Sequence, residues 1–151
     1  MLLYMLIAFS IGIEGGYNIP AVGFKNIHSG AGFSVFADRN TGIVDLTFSL
    51  QAAFYAGDNP SYSMNTTGFR LGFYKKNWPI SPVFAIGGDY ISRGLSQTSE
   101  TGFAAAYMIG VLINLKFDRL HIYPKFHYDG LTDMSVHAGF IGLKLGIGYE
   151  I

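Results

Sequence analysis

Eleven charged side chains recur at alternate positions of segments otherwise rich in glycine, alanine and serine: Glu14, Asp38, Asp45, Asp89, Asp129 and Glu150 against Arg70, Arg93, Lys116, Lys125 and Lys144. The two signs nearly balance. A charge held in a low-dielectric interior is tolerated only beside an opposite one, so this balance predicts an internal ion-pair network. Asp89 with Arg93, and Lys125 with Asp129, stand four residues apart on one strand face. Salt bridging within each strand is the expected use of these pairs, ahead of ion conduction.

Four histidines raise the question of metal or catalytic chemistry. Only His121 and His127 share a strand face, and six residues of extended chain separate them by about 20 Å. They cannot hold one ion, so no metal site is expected and each histidine is read as structural or solvated by the interior. Ser135 and His137 make a Ser-x-His pair without an outward acid to orient the base, and no catalytic residue is assigned. There is no cysteine, which removes thiolate ligands, a thiol nucleophile and a disulfide framework. None of the glycines opens a helix as a phosphate-cradling loop must, and no cofactor is expected.

The elements that must position these groups are strands. In the closing stretch, Leu143, Leu145, Ile147, Tyr149 and Ile151 alternate with Lys144, Gly146, Gly148 and Glu150, giving one apolar face and one of charges and glycines. Seven further segments keep the same period: about 11–19, 32–38, 43–55, 67–74, 83–93, 103–116 and 120–129. The third is the clearest, with Val44, Leu46, Phe48, Leu50, Ala52 and Phe54 on one side. Only the upper part of the last strand loses phase, since Val136, Ala138 and Phe140 occupy even positions. Either a bulge lies near Phe140 and Ile141, or apolar groups there point inward. Connections after odd strands come out near ten residues and those after even strands nearer five.

The composition agrees with pleated structure. Among 151 residues there are 20 glycines, 10 tyrosines and 13 phenylalanines. Only 13% are charged, with ten acidic residues against ten basic ones, a poor surface for nucleic acid. The length suits one domain, residues 11–151. Residues 1–10 (MLLYMLIAFS) are short and apolar, and are read as the remnant of a secretory signal; an apolar extension of the first strand is the alternative.

Which face meets which medium follows from size. A soluble, lipocalin-like barrel would have to place Phe48, Phe54, Phe69, Phe73, Phe84, Tyr107 and Phe126 inside a narrow eight-stranded wall, leaving glycine and alanine in water. The inverse arrangement puts small and charged residues in the lumen and a continuous apolar band in lipid, where only closed barrels and helices satisfy every backbone group. With the termini at one rim, Tyr17, Phe54, Tyr90, Phe103 and Tyr128 fall at the opposite rim, and Phe73, Trp78 and Tyr149 fall at the terminal one. These would be two aromatic belts. The fold expected is all-β: an eight-stranded antiparallel up-and-down transmembrane β-barrel.

The final Lys144-x-Gly146-x-x-Tyr149-x-Ile151 resembles the C-terminal signal of small eight-stranded outer-membrane proteins of the OmpA, OmpX and opacity-protein kind. Ile151 stands where that family most often ends in an aromatic. The opening stretch 12–20 (GIEGGYNIP) is similar to the first strand of many such barrels. The resemblance implies residence in the outer membrane, contact with outer-membrane lipid and recognition by the outer-membrane assembly machinery. It also implies a monomer whose outer loops (residues 21–30, 57–65, 92–102 and 130–134) meet host or cell-surface ligands. Some barrels of this size deacylate lipopolysaccharide with a His-x-Ser-Asn motif, but the order here is reversed. The function expected is structural or interactive, not enzymatic. A narrow pore, a lipid-modifying enzyme and a soluble ligand-binding barrel are the alternatives.

Overall fold

The computed structural model describes residues 9–23, 26–58, 62–95, 98–133 and 137–151. Nine strands form one sheet: β1 (Phe9–Val22), β2 (Ile27–Asn40), β3 (Asp45–Gly57), β4 (Tyr62–Tyr74), β5 (Ile80–Leu95), β6 (Thr98–Ile113), β7 (Leu115–Phe117), β8 (Leu120–Thr132) and β9 (His137–Glu150). Each pairs antiparallel with its neighbours, β1 joins β9, and β6 joins β8, so the sheet closes on itself. β6 and β7 are one wall strand interrupted at Asn114, because both pair with β8 in a single continuous register, Leu112 opposite Lys125 and Leu115 opposite Ile122. The wall is therefore eight-stranded, as the period-two segments predict.

The interruption has a cause. The Asn114 backbone N–H donates to the Pro79 carbonyl at 2.9 Å in the register that sets Ile80 opposite Ile113, but proline has no N–H to return, so the regular ladder stops at Asn114. Its side-chain amide donates to the carbonyls of Trp78 at 2.8 Å and Lys75 at 3.4 Å, which ties the β4–β5 turn to the wall. Asn114→Ala is expected to lower stability by about 1 kcal/mol through this turn, measured as a shift of the urea midpoint for unfolding from lipid vesicles.

The register fixes the dimensions. Stepping around the wall from Ser10 leads through Asp38, Thr47, Gly72, Ala85, Met108, Asp129 and Phe140 and returns to β1 at Pro20, a stagger of ten residues. Ten residues of stagger over eight strands correspond to a tilt of about 40° and a wall radius of about 8 Å. A lumen that narrow is filled by side chains.

The strands run further than the sequence reading placed them. Residues 27–30, 62–65, 92–95, 98–102 and 130–132, expected in long outer loops, continue the ladder instead. Polar composition had marked these residues as loop. Paired backbone carries them as strand because a two-stranded ribbon above the membrane can wear polar side chains on both faces. At the other end β1 begins at Phe9, two residues inside the stretch read as a signal remnant, with Ser10 buried inward.

The phase change in the last strand has a plain answer. β9 keeps one register against β8 from Leu120 opposite Tyr149 to Thr132 opposite His137, without a bulge. Ala138 and Phe140 point inward, and Phe140 is only 1% exposed. The irregularity lies in the neighbour, β1, between Pro20 and Val22, where proline has no N–H to give the ladder.

The molecule is inverted. Phe33, Phe48, Phe54, Phe69, Phe84, Phe126 and Leu143 are exposed, whereas Asp45, Asp89, His121 and His127 are among the most buried side chains. The outward row of β1 from Phe9 to Ile19 is about 33 Å long at ~3.3 Å per residue, or roughly 25 Å along the barrel axis at this tilt, the height of the apolar band of an outer-membrane barrel.

Candidate functional site

The inward faces of the strands stack in layers between the two rims. At the terminal rim an open cavity of about 630 Å³ is bordered by Ser10, Asp38, Asp45, Lys76, His121 and Glu150. Above it Tyr74, Val83, Ala85, Met108, Leu112 and Tyr123 pack with Phe36 as an apolar plug. A second plug near the far rim contains Tyr55, Met64, Ala104, Leu131, Ala138 and Phe140, with the Tyr55 and Phe140 rings 4.7 Å apart. Between the plugs lies a layer of charge.

That layer consists of two clusters. In the first, Lys125 and Lys144 are direct cross-strand partners, an unfavourable juxtaposition alone, and Glu14 answers both. Its carboxylate lies 2.6 Å from Lys125 Nζ and 3.7 Å from Lys144 Nζ, and it accepts a hydrogen bond from Ser34 at 2.7 Å. In the second, the Arg70 guanidinium grips Asp89 with two parallel hydrogen bonds, 2.6 and 3.0 Å, and lies 3.9 Å from Asp129. Asp129 in turn is 3.0 Å from His127 Nε2. A planar fork on a carboxylate is the geometry that makes such a pair strong.

Glycine makes the room. A Cβ at Gly68 would run into the Asp89 carboxylate, and one at Gly142 into the His127 ring. Small inward residues on one strand thus let the long charged groups of the next cross the lumen.

Of the eleven charged positions named from the sequence, Glu14, Lys125 and Lys144 meet in one cluster and Arg70, Asp89 and Asp129 in the other. The remaining five do not join them. Asp38 is held by neutral donors, the Tyr74 hydroxyl at 2.9 Å and Ser10 at 3.4 Å. Asp45 accepts from the Asn40 amide at 2.7 Å and the Lys76 backbone N–H at 2.6 Å. Glu150 takes Lys116 at 3.0 Å and His121 at 3.1 Å at the terminal rim. Arg93 lies near the far rim on the β5–β6 ribbon, where it pairs with Glu100 at 2.7 Å.

The pairs expected within single strands are not formed. Asp89 goes to Arg70 instead of Arg93, and Lys125 to Glu14 instead of Asp129. Two residues four apart on a strand are about 13 Å apart, whereas neighbouring strands approach within hydrogen-bond reach. Sequence reasoning also missed Lys76, which leaves the β4–β5 turn to reach Ser10 at 3.0 Å and lies 4.0 Å from Glu150. A turn residue carries no period-two signal that would aim it into the lumen.

The outward aromatic residues lie on rows set by the register. Tyr17 and Phe54 flank Ala31 on one row, and Tyr90 faces Phe103 with ring centroids 5.1 Å apart. The Tyr128 ring packs at a tilt against Tyr107, centroids 6.1 Å apart, and its hydroxyl lies 2.9 Å from His137 Nε2. Phe73, Trp78 and Tyr149 are exposed toward the terminal end. In the closing motif Lys144 and Gly146 face the lumen while Tyr149 and Ile151 face out, and the Ile151 N–H donates to the Phe9 carbonyl at 3.0 Å. His137 is exposed on the outer face among tyrosines, and Ser135 lies outside the described residues. Among the described residues, no three acidic or histidine side chains gather as a metal site would require.

A closed eight-stranded meander with charge inside and phenylalanine outside defines a small transmembrane β-barrel of the outer-membrane type, and this exterior points to the outer membrane. No protein-family model and no curated protein sequence matches the chain. Solved structures do. Neisserial surface protein A is 13% identical with a TM-score of 0.65, over 95% of this chain and 99% of that one. The attachment invasion locus protein Ail of Yersinia pestis is 18% identical with a TM-score of 0.65, over 95% and 98%. The N-terminal β-barrel domain of Pseudomonas aeruginosa OprF is 16% identical with a TM-score of 0.61, over 93% and 97%. At these identities the likeness is one of fold.

Proposed function

We propose that this chain is an outer-membrane surface protein that works by presenting the ends of its hairpins, β1–β2, β3–β4, β5–β6 and β8–β9, on a rigid plugged barrel. It is neither a pore nor an enzyme. The observation that carries this reading is the filled lumen. The cavities that border the charged layer are only about 10 and 40 Å³, against about 630 Å³ at the terminal rim. A path for ions would have to cross two apolar plugs and a layer of paired charge. The continuous ladders support the display role, since they carry polar side chains beyond the apolar band on paired backbone. Ail, one of the proteins of like fold, has been solved in complex with the heparin analogue sucrose octasulfate. In this chain the far rim offers polar pairs, His28 with Asp58 and Arg93 with Glu100, each holding a carboxylate, which favour a partner of mixed polarity over a polyanion. The closing residues Lys144, Gly146, Tyr149 and Ile151 would serve recognition by the assembly machinery.

The test has two parts. Purified protein in planar bilayers is expected to be silent; regular single-channel steps would restore the pore. Cells displaying the chain are expected to adhere to a host-cell layer and to lose adhesion when the four hairpin ends are replaced by two-residue Asn-Gly turns. Equal adhesion by both, with folding verified by a heat-dependent shift in electrophoretic mobility, would defeat the display reading.

A further inference from the structure

The lipid-facing surface is not uniform. Small residues interrupt the large outward side chains at several places, Gly88 opposite Ala105 among them, and on β2 the outward row reads Phe33, Val35, Ala37, Arg39. Ala37 is flanked by Ile11 on β1 and Phe48 on β3, and Val35 by Ile13 and Leu50. Two short side chains between two rows of long ones leave a furrow. An open groove of about 550 Å³ lies there, walled by Ile11, Ile13, Ile147 and Tyr149 on one side and by Phe48 and Leu50 on the other.

Arg39 stands past the end of the groove, where it also borders the cavity at the terminal rim. Arg39 is the next outward position of β2 toward the terminal rim, beside Phe9 and Leu46, and it is exposed. Among the described residues no carboxylate forms an ion pair with it. Its neighbour Asp38 points the opposite way, into the lumen, held by Tyr74 and Ser10. A guanidinium on the edge of the apolar band, without an acidic partner among the described residues, is free to take an anion from the medium. A bilayer supplies it at that depth as phosphate. From Arg39 to Val35 the row covers roughly 13 Å at ~3.3 Å per residue, or about 10 Å along the barrel axis at this tilt, roughly two-thirds of the ~15 Å hydrocarbon depth of one leaflet.

We propose that this groove is a binding site for one phospholipid, with an acyl chain lying over Ala37 and Val35 and the phosphate held by the Arg39 fork. The site uses shape and charge together. The furrow selects a single flexible chain, because branched or ring-bearing molecules would strike Phe48 and Tyr149. The guanidinium selects a phosphate-bearing headgroup through bidentate hydrogen bonds that an ammonium would not form as well. Such a lipid would also cover the β9–β1–β2 part of the wall, where the sheet closes. The site is remote from the hairpin ends, so its fate is separate from that of the display role.

The experiment is native mass spectrometry of the full chain, purified in detergent and exposed to phosphatidylglycerol or to diacylglycerol bearing the same acyl chains. The wild-type protein is expected to retain one phosphatidylglycerol and roughly tenfold less diacylglycerol, as befits a charge-assisted pair. Arg39→Gln is expected to bring phosphatidylglycerol down to the diacylglycerol level, and Arg39→Lys to restore part of it. Ala37→Phe, which fills the furrow, is expected to abolish retention of both, with Ala37→Leu as the milder version should the larger ring impair folding. Equal retention of the two lipids by the wild type, or unchanged phosphatidylglycerol in Arg39→Gln or in the folded Ala37 variant, would overturn the proposal.

Discussion

Arg70→Met is expected to cost the barrel roughly 3–5 kcal/mol, the penalty for stranding a buried charge. The guanidinium is 3% exposed, and it holds Asp89 at 2.6 Å with Asp129 at 3.9 Å. With the arginine gone, Asp129 keeps His127 at 3.0 Å, but Asp89 loses both of its charged hydrogen bonds in a space closed to bulk water. Burying a carboxylate without a partner is what the cost measures. The double variant Arg70→Met/Asp89→Leu removes both members of the pair and is expected to recover most of the loss, since isolated buried pairs are close to neutral against apolar packing. Equilibrium urea unfolding from lipid vesicles reads both. A loss below about 1 kcal/mol for the single variant would mean that water reaches Asp89, and the plugged lumen would then have to be abandoned.

The second large effect sits on the opposite face of the wall. Leu145, midway along the outward row of β9, is 53% exposed. Were that surface in water, Leu145→Arg would fall within about 0.5 kcal/mol of the wild type. In a bilayer the same substitution is expected to cost about 2–4 kcal/mol, because the midplane offers an arginine neither water nor an anion. The cost should shrink for Ile151→Arg at the rim, where the headgroups begin. The same vesicle titration separates the cases, and equal midpoints for the Leu145 variant and the wild type would place this surface outside lipid.

The alternation of Leu143, Leu145, Ile147 and Tyr149 with Lys144, Gly146 and Gly148, repeated in seven other segments, defined strands with two unlike faces, and the bulk of the combined apolar set gave the inversion. Period two is a local property of extended backbone, and a wall about 8 Å in radius has room for a few rings such as Phe36 and Phe140 but not for the whole outward set with Phe48, Phe69 and Phe126. The partners of the charges were not legible. Glu14 meets Lys125 across 111 positions of sequence because the ring closes β9 onto β1 with a ten-residue stagger, and Asp89 finds Arg70 because Gly68 clears its path. Nothing local encodes such meetings. Similarly, the inward turn of Ala138 and Phe140 follows from unbroken pairing with β8, and the groove beside Arg39 from what the register sets on either side of Ala37. Outside the upper part of β9, the amino-acid order by itself sorted the side chains of each strand into a lipid face and an inward face, since that depends on parity along the strand and on the bulk of each set. Closure of the sheet decided which inward groups touch, since only the stagger between strands brings residues far apart in the chain to the same height.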